Sequence, residues 1–408
     1  MTSTQNQQAA ASPTAADRAT LGLAAVALFV AAINLRPAIA AVSPLVDAIR
    51  ADLGLSATGV ALLTTIPTLA MGVCAPVAAL VARRTGLHGG VNVGLLIIGL
   101  GTIARAFGHA TWFQLACAFI VGTGIAIAQT LLPAVVKARF SSRPSLVTGI
   151  YTAGLGLGGA VAAGATAPLA DALDSWPVAL ASWAVLAFAG IVLWSAAKRS
   201  LALEDAAGPR KLSTKGLAWG SATAWKITVI SAGNSALYYC ELAWIAPLLT
   251  NDGGRSTASA GVLLTAMISI QVVAMIAVPM LLGERKDQRL GLVVTTVMTA
   301  AGFLGFALLP GTAVWLWVLL IGIGHGGLFP LVLALPVTAS RDAAHAGRIS
   351  GMAFFVGYGC AAVGPLLVGL LRDTTGNFML AFLALAVAAA LMVLPILTLS
   401  PHRLSLAE

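Results

Sequence analysis

Charge is what this sequence has least of. Its 408 residues include 23 Lys and Arg and 14 Asp and Glu, 9% of the chain, against roughly 25% in soluble domains. A soluble globule of this length needs charge over the surfaces of two or three domains, whereas a chain in a bilayer needs it only on loops and ends. A water-soluble fold is therefore excluded. Cysteine is sparse too: Cys74, Cys117, Cys240 and Cys360 are widely separated inside apolar runs. They form no CxxC pair, zinc spacing or secreted disulfide framework and read as small hydrophobes, so no metal or cofactor is expected. Despite a net charge of +9, no basic cluster with interleaved aromatics exists to bind nucleic acid. The polar stretch up to Ala19 lacks a basic region followed by a short apolar core, so no cleaved signal peptide is expected.

Apolar length is what the chain has in abundance, with 59% hydrophobic residues. A crossing needs roughly 20 apolar residues, and lipid forces each to be helical or part of a closed barrel. The runs are continuous, without the ten-residue alternation of a barrel. They fall near Thr20 to Val42, Thr58 to Val81, Gly90 to Phe107, Trp112 to Val136, Leu146 to Ala170 and Trp176 to Ala196. After a polar interval they resume near Ser221 to Leu249, Ala258 to Leu282, Leu290 to Leu309, Ala313 to Ala339, Ile349 to Leu371 and Phe378 to Leu399. The expected fold class is an all-α polytopic membrane protein with twelve transmembrane helices.

Cytoplasmic loops are enriched in Lys and Arg. Eighteen of the 23 cations fall on one side of this arrangement, four on the other (Arg50, Arg105, Arg255, Arg372), and Arg36 lies inside the first helix. Both termini and the middle loop are therefore expected in the cytoplasm of a multi-pass protein of a bacterial-type inner membrane. Lys226, about one turn inside the seventh helix, is expected to snorkel to that surface.

The middle polar segment, Lys198 to Lys215, divides the chain into halves that align. Ser43-Pro44-Leu45 matches Ala246-Pro247-Leu248 at an offset of 203, and Leu62-Leu63-Thr64 matches Leu263-Leu264-Thr265 at 201. Gly122 and Gly124 match Gly322 and Gly324 at 200, and Gly154 and Gly156 match Gly357 and Gly359 at 203. The expected organisation is a disordered tail at 1–19, a six-helix bundle at 20–197, a cytoplasmic linker at 198–220, a second six-helix bundle at 221–399 and a tail at 400–408. The two bundles are expected to be pseudo-symmetric, the architecture of a secondary transporter that rocks about a central site.

Here the chain resembles the major facilitator superfamily. Asn34-Leu35-Arg36-Pro37-Ala38 followed by Ser43-Pro44-Leu45 resembles the first helix of its cyanate and 2-nitroimidazole transporter branch. The likeness continues through Leu63-Thr64-Thr65-Ile66-Pro67 and Ala82-Arg83-Arg84-Thr85-Gly86. Two departures stand out. The loop after the second helix usually carries Gly-x3-Asp-Arg-x-Gly, and Arg83 occupies the aspartate position. The Gly-Pro pair that marks the fifth helix of drug antiporters is missing, while Gly364-Pro365 occurs on the eleventh.

The resemblance implies that the first, fourth, seventh and tenth helices line a central cavity. Three deep ionisable residues, Arg36, Glu241 and His325, and the amide Gln129 fall on those four helices. An ionisable group in the bilayer costs about 2.5 kcal/mol or more and marks a functional site by default. At 1.5 Å per residue, Arg36 lies roughly 24 Å and Glu241 roughly 28 Å from the starts of their helices, and His325 about 18 Å from the opposite side. Pro37 loosens the helix at Arg36 and frees its guanidinium to aim inward. That planar fork suits a small anion. Asn34, roughly 200 degrees away around the helix, is a second contact that competes with it for the cavity.

Two readings of Arg36 and Glu241 stay open: a salt bridge that pins the halves, or a pair separated when a proton on Glu241 releases Arg36 to the substrate. His325 reads either as a packing residue or as a substrate contact. Tyr238 and Trp244, three residues to either side of Glu241, give an aromatic wall for a planar solute. The expected function is proton-coupled transport of a small organic or inorganic anion or a weakly acidic, azole-like solute. Substrate contacts are expected from Arg36, Gln129, Tyr238, Trp244, His325 and Asn34, and proton coupling from Glu241. The expected partners are that solute, protons and lipid, and the chain is expected to be a monomer. Drug or metabolite efflux is the alternative within transport, and a non-transporting sensor the alternative outside it. An enzyme is not expected, because no paired carboxylates, Ser/His pair or HExxH is present.

Overall fold

Proline and glycine decide where the long apolar runs bend. The computed structural model describes residues 15–54, 57–201, 216–283 and 287–399. The first half comprises α1 (Ala15–Ile33), α2 (Pro37–Ala40), α3 (Val46–Leu53), α4 (Ala57–Val73), α5 (Val77–Ala104), α6 (Thr111–Arg139), α7 (Pro144–Ala172), α8 (Trp176–Ser182), α9 (Ala184–Ala196) and α10 (Lys198–Leu201). The second comprises α11 (Ala222–Asn251), α12 (Thr257–Leu282), α13 (Arg289–Leu308), α14 (Val314–Thr338), α15 (Ala343–Thr375), α16 (Met379–Leu391) and α17 (Val393–Leu397). The tail expected at 1–19 is described only from residue 15, where it is already helical. The middle of the expected linker and the tail at 400–408 lie outside the described residues.

Among the described residues, ten helices are long and apolar enough to cross a membrane. The expected second and seventh crossings are helical but fall short of that measure. Pro76 lacks a backbone donor, so the second run breaks at Cys74–Pro76 between α4 and α5. The 30-residue α11 is long enough, but its Lys226, Asn234, Tyr238, Tyr239 and Glu241 dilute its apolar character.

The two halves share one unusual backbone feature. Gly86, inside α5, has φ 71° and ψ 175°, and Gly283, after α12, has φ 63° and ψ −174°. This region is essentially closed to residues with a Cβ. The same sharp reversal thus follows the second helix of each half, as a duplication requires.

One core runs through the first half and takes in Met275, Phe329, Leu333, Val337, Phe354 and Tyr358 of the second. Another is built wholly within the second half, around Phe303, Phe306, Phe378 and Phe382. The residues shared across the halves lie toward the end that carries α10 and the start of α11. There a Cβ on Gly149 of α7 would collide with the Met275 carbonyl of α12, and the Gln288 amide donates to the Ser145 hydroxyl. The halves are thus packed together at the linker end. Lys226 donates to the Thr398 carbonyl at 3.2 Å, a cation at a helix C-terminus where it is favoured.

At the opposite end, Asp52 of α3 ties three elements together. Its Oδ2 accepts from Trp176 Nε1 of α8 at 2.9 Å and lies 3.1 Å from Nδ1 of His109, in the loop before α6. The hydrogen bonds from His109 and Trp176 hold its carboxyl below the ordinary aspartate range. A depressed carboxyl stabilises above the unfolded value, near 3.9, and loses that contribution as pH falls through the folded one. The clasp should therefore be intact at neutral pH and open only in acid below about pH 4. Trp176 emission, taken as the difference between the parent and Trp176→Phe, should titrate there and be insensitive to pH in Asp52→Asn. A parent signal that is flat across that range would refute the clasp.

Candidate functional site

The break between α1 and α2 builds the centre of the site. Arg36 sits at φ −117° and ψ −30°, and the helix resumes at Pro37, as the missing donor of proline dictates. The freed turn lets the half-buried guanidinium reach across to the other half. Its Nη1 donates to the Tyr239 hydroxyl at 3.0 Å, and its carbon lies 5.8 Å and 6.0 Å from the ring centres of Tyr238 and Tyr239. Such cation–π contacts contribute about 0.5–2 kcal/mol each. Arg36 and Tyr239 are 203 residues apart, the offset that relates the first helices of the halves, so equivalent positions of the repeat meet face to face.

Around this contact lies a narrow cleft of about 10 Å³, room for roughly one water, so a solute enters it only as the halves part. Arg36, Gln129, Asn234, Tyr238, Tyr239 and Tyr358 bring polar atoms to it. Gln129 Nε2 donates to the Tyr358 hydroxyl at 2.5 Å, joining α6 to α15, while Gln129 Oε1 is buried without a partner. Two stacked aromatic pairs form walls: Tyr238 with Phe329 at 5.9 Å and Phe354 with Tyr358 at 5.7 Å. Among the described residues no carboxylate lines the cleft.

Glu241 does not pair with Arg36. It is two residues beyond Tyr239, about 200 degrees around the helix, so it points into the second half while Tyr239 faces the first. Buried there, its Oε1 accepts from Gln271 Nε2 at 2.6 Å and its Oε2 lies 2.8 Å from His325 Nδ1. His325 Nε2 faces the Asn234 carbonyl at 3.2 Å and its Oδ1 at 3.1 Å. The Asn234 carbonyl can only accept, so Nε2 donates to it and Nδ1 faces the Glu241 carboxyl. The separation in depth expected between Glu241 and His325 is thereby corrected: α11 and α14 bring them into contact.

The residues singled out in the sequence divide. Arg36, Gln129 and Tyr238 line the cleft. His325 stands behind it, with its ring edge against Tyr238 at 5.9 Å. Asn34 turns away: its Nδ2 donates to the Val30 carbonyl at 2.8 Å, and its side chain packs on Gly190 of α9. Trp244 also leaves the cleft, donating to the Pro365 carbonyl at 2.9 Å and lying against Phe378 at 5.6 Å. Six residues carry it through 600 degrees, 120 degrees off the direction of Tyr238, which undoes the expected aromatic wall. Arg105, expected on an outer loop, is instead 1% exposed, with Nε and Nη2 unpartnered. Tyr239 and Tyr358 are not legible as cleft residues in the sequence, and Asn234 shows there only as intramembrane polarity. Tyr239 alone carried a signal, since adding the repeat offset of 203 to Arg36 points at it.

A family model described as Major Facilitator Superfamily matches residues 23–365. The chain is 32% identical over 365 residues to "Uncharacterized transporter YycB" of Bacillus subtilis (strain 168), spanning 88% of this chain and 89% of that one. It is 32% identical over 361 residues to "2-nitroimidazole transporter" of Escherichia coli (strain K12), spanning 88% and 91%. Identity is 30% over 363 residues to "Cyanate transport protein CynX" of the same strain, spanning 88% and 93%. Among solved structures, the human organic anion transporter MFSD10 superposes with a TM-score of 0.74 at 13% identity, over 94% of this chain and all of that one.

Proposed function

This chain belongs to the major facilitator superfamily, and from that premise we propose that it carries a small planar anion, or a weakly acidic azole-like solute, across the inner membrane by proton-coupled alternating access. It is a multi-pass membrane transporter and not an enzyme. One observation carries the choice of substrate: a guanidinium at the centre of the bundle faces a cleft in which no described carboxylate neutralises it. An uncompensated charge at this depth is costly, and an anionic solute supplies the missing partner through the planar fork. The stacked aromatic pairs favour a flat molecule. Relatives named for 2-nitroimidazole and for cyanate fit the same chemistry.

Efflux of an organic cation drawn to Glu241 is less well supported. That carboxyl is fully buried and already engaged by Gln271 and His325, so the charge presented to the cleft is positive. The buried contact between the Glu241 carboxyl and His325 Nδ1 supports proton coupling. Asn234, which both touches His325 and lines the cleft, links that pair to the solute. The distribution of Lys and Arg favours cytoplasmic termini.

A thermal-shift titration of the purified protein tests the substrate class. Cyanate, benzoate and 2-nitroimidazole should raise the unfolding temperature saturably, as a ligand of the folded state does, while benzamide and tetraphenylphosphonium should not. Stabilisation by the cation and not by the anions would reverse the assignment.

A further inference from the structure

A second cavity, remote from the central cleft, lies between the halves at the linker end. It is lined by the broken stretch Ala75–Pro76, by Leu80 and Arg83 of α5, by Thr130 and Leu131 of α6, by Gly347 and Arg348 of α15 and by Leu217 before α11. Its volume is about 270 Å³, much larger than that of the central cleft. Its walls are mostly apolar. Next to it on α5, Val77 and Leu80 are exposed at 36% and 59%, as expected of a surface turned to hydrocarbon.

We propose that this groove holds an anionic phospholipid, with an acyl chain along its apolar wall and the phosphate between Arg83 and Arg348. Charge complementarity carries the choice of head group. Arg83 is exposed and Arg348 donates through Nε to the Gly216 carbonyl at 2.7 Å. Neither arginine is in an ion pair among the described residues, and none of the residues lining the groove is acidic. The nearest carboxylate on α15, Asp342, is used as the N-cap, accepting from the His345 amide at 2.8 Å.

A second observation is independent of charge. The Thr130 hydroxyl is 3% exposed, lines the groove and has no hydrogen-bond partner, so the deep end of the cavity offers a polar contact that the protein leaves unused. Size agrees as well. From Ala75 to Arg83 the helical rise is about 12 Å, enough for a chain segment to run from the interior to a charged rim. Basic pockets between membrane helices on the cytoplasmic side take up such head groups, and the cation distribution assigns this end to the cytoplasm. A lipid lodged between α5 and α15 occupies the seam along which the halves are packed, and its departure frees that seam to open.

The test is a lipid titration of the purified full-length chain in detergent, read by native mass spectrometry. Dioleoyl-phosphatidylglycerol should be retained by the parent. The double variant Arg83→Gln/Arg348→Gln should bind it on the order of thirtyfold more weakly, from about 1 kcal/mol for each cation. Arg83→Gln alone should show about fivefold, and it leaves the Arg348 contact with Gly216 in place, so loss of folding cannot explain it. Dioleoyl-phosphatidylcholine should bind parent and variants alike. Equal retention of phosphatidylglycerol by parent and double variant would overturn the proposal. So would equally tight binding of glycerol phosphate, which makes this a free-anion site. Lipid retention that emerges only after residues 202–215 are replaced by glycine and serine would assign the groove to the linker and also overturn it.

Discussion

Arg36→Gln should lower the apparent affinity for anionic solutes by roughly a hundredfold, from the about 3 kcal/mol lost when one partner of a buried charge pair is truncated. Uptake into proteoliposomes at low substrate concentration should then fall to background. The unfolding temperature without ligand should stay near that of the parent or rise. The protein gives this guanidinium only a hydroxyl and two ring faces, so the substitution removes a costly charge and little bonding. Arg36→Lys separates charge from shape. It keeps the cation but loses the planar fork and should cost about tenfold, the worth of one charged hydrogen bond. Parent-like affinity in Arg36→Gln would remove the anion site from this cleft.

Glu241→Gln should abolish uphill accumulation driven by a proton gradient while leaving substrate counterflow intact. The amide preserves the volume and still meets Gln271 and His325, but it holds no titratable proton. Truncation to alanine is a poorer probe, because opening a buried pair costs about 3–5 kcal/mol and confounds folding with coupling. His325→Gln interrupts the same proton from the other side and should give the same phenotype. Asn234→Ala should keep accumulation but weaken its dependence on substrate, because it removes the link between the network and the cleft. Uphill uptake that is unchanged in Glu241→Gln, with an unaltered pH profile, would place the coupling proton elsewhere.

Much of this was legible in the sequence because the bilayer enforces simple rules. The scarcity of charge marked a membrane chain, and Pro37 beside Arg36 marked the break that frees the guanidinium. Periodicity failed where a residue's direction mattered more than its depth. Trp244 and Tyr238 look like neighbours three residues either side of Glu241, yet the twist of α11 sends Trp244 to Pro365 and leaves Tyr238 in the cleft. Glu241 and Arg36 look like partners because they carry opposite charges on equivalent helices, yet the same twist gives Glu241 to His325. Gln271 and Asn234 are ordinary polar residues until the packing of α12 and α14 against α11 makes them members of a network. Arg105 sits at the end of an apolar run, where the sequence places it with the loops, whereas the fold of the first half encloses it.

The duplication also exposes a division of labour. Moving back by the repeat offsets, the positions equivalent to Glu241 and His325 are Ala38 and Ile125, which carry no ionisable group. The first half contributes the guanidinium to the cleft, and the second contributes the buried carboxyl–imidazole pair behind it.

The meeting of Arg36 with Tyr239 has a mechanical corollary. Points related by a twofold operation can touch only on its dyad, so this hydrogen bond marks the line about which the two halves are related. When two bodies rock about a pivot on that line, displacement grows with the lever arm, and a contact near the pivot is strained least. Rocking would then swing the far ends of α7 and α12 through wide arcs while Arg36 and Tyr239 stay within reach of each other. On the proposed reading, a solute held there would hardly travel, and the openings on its two sides would exchange places around it.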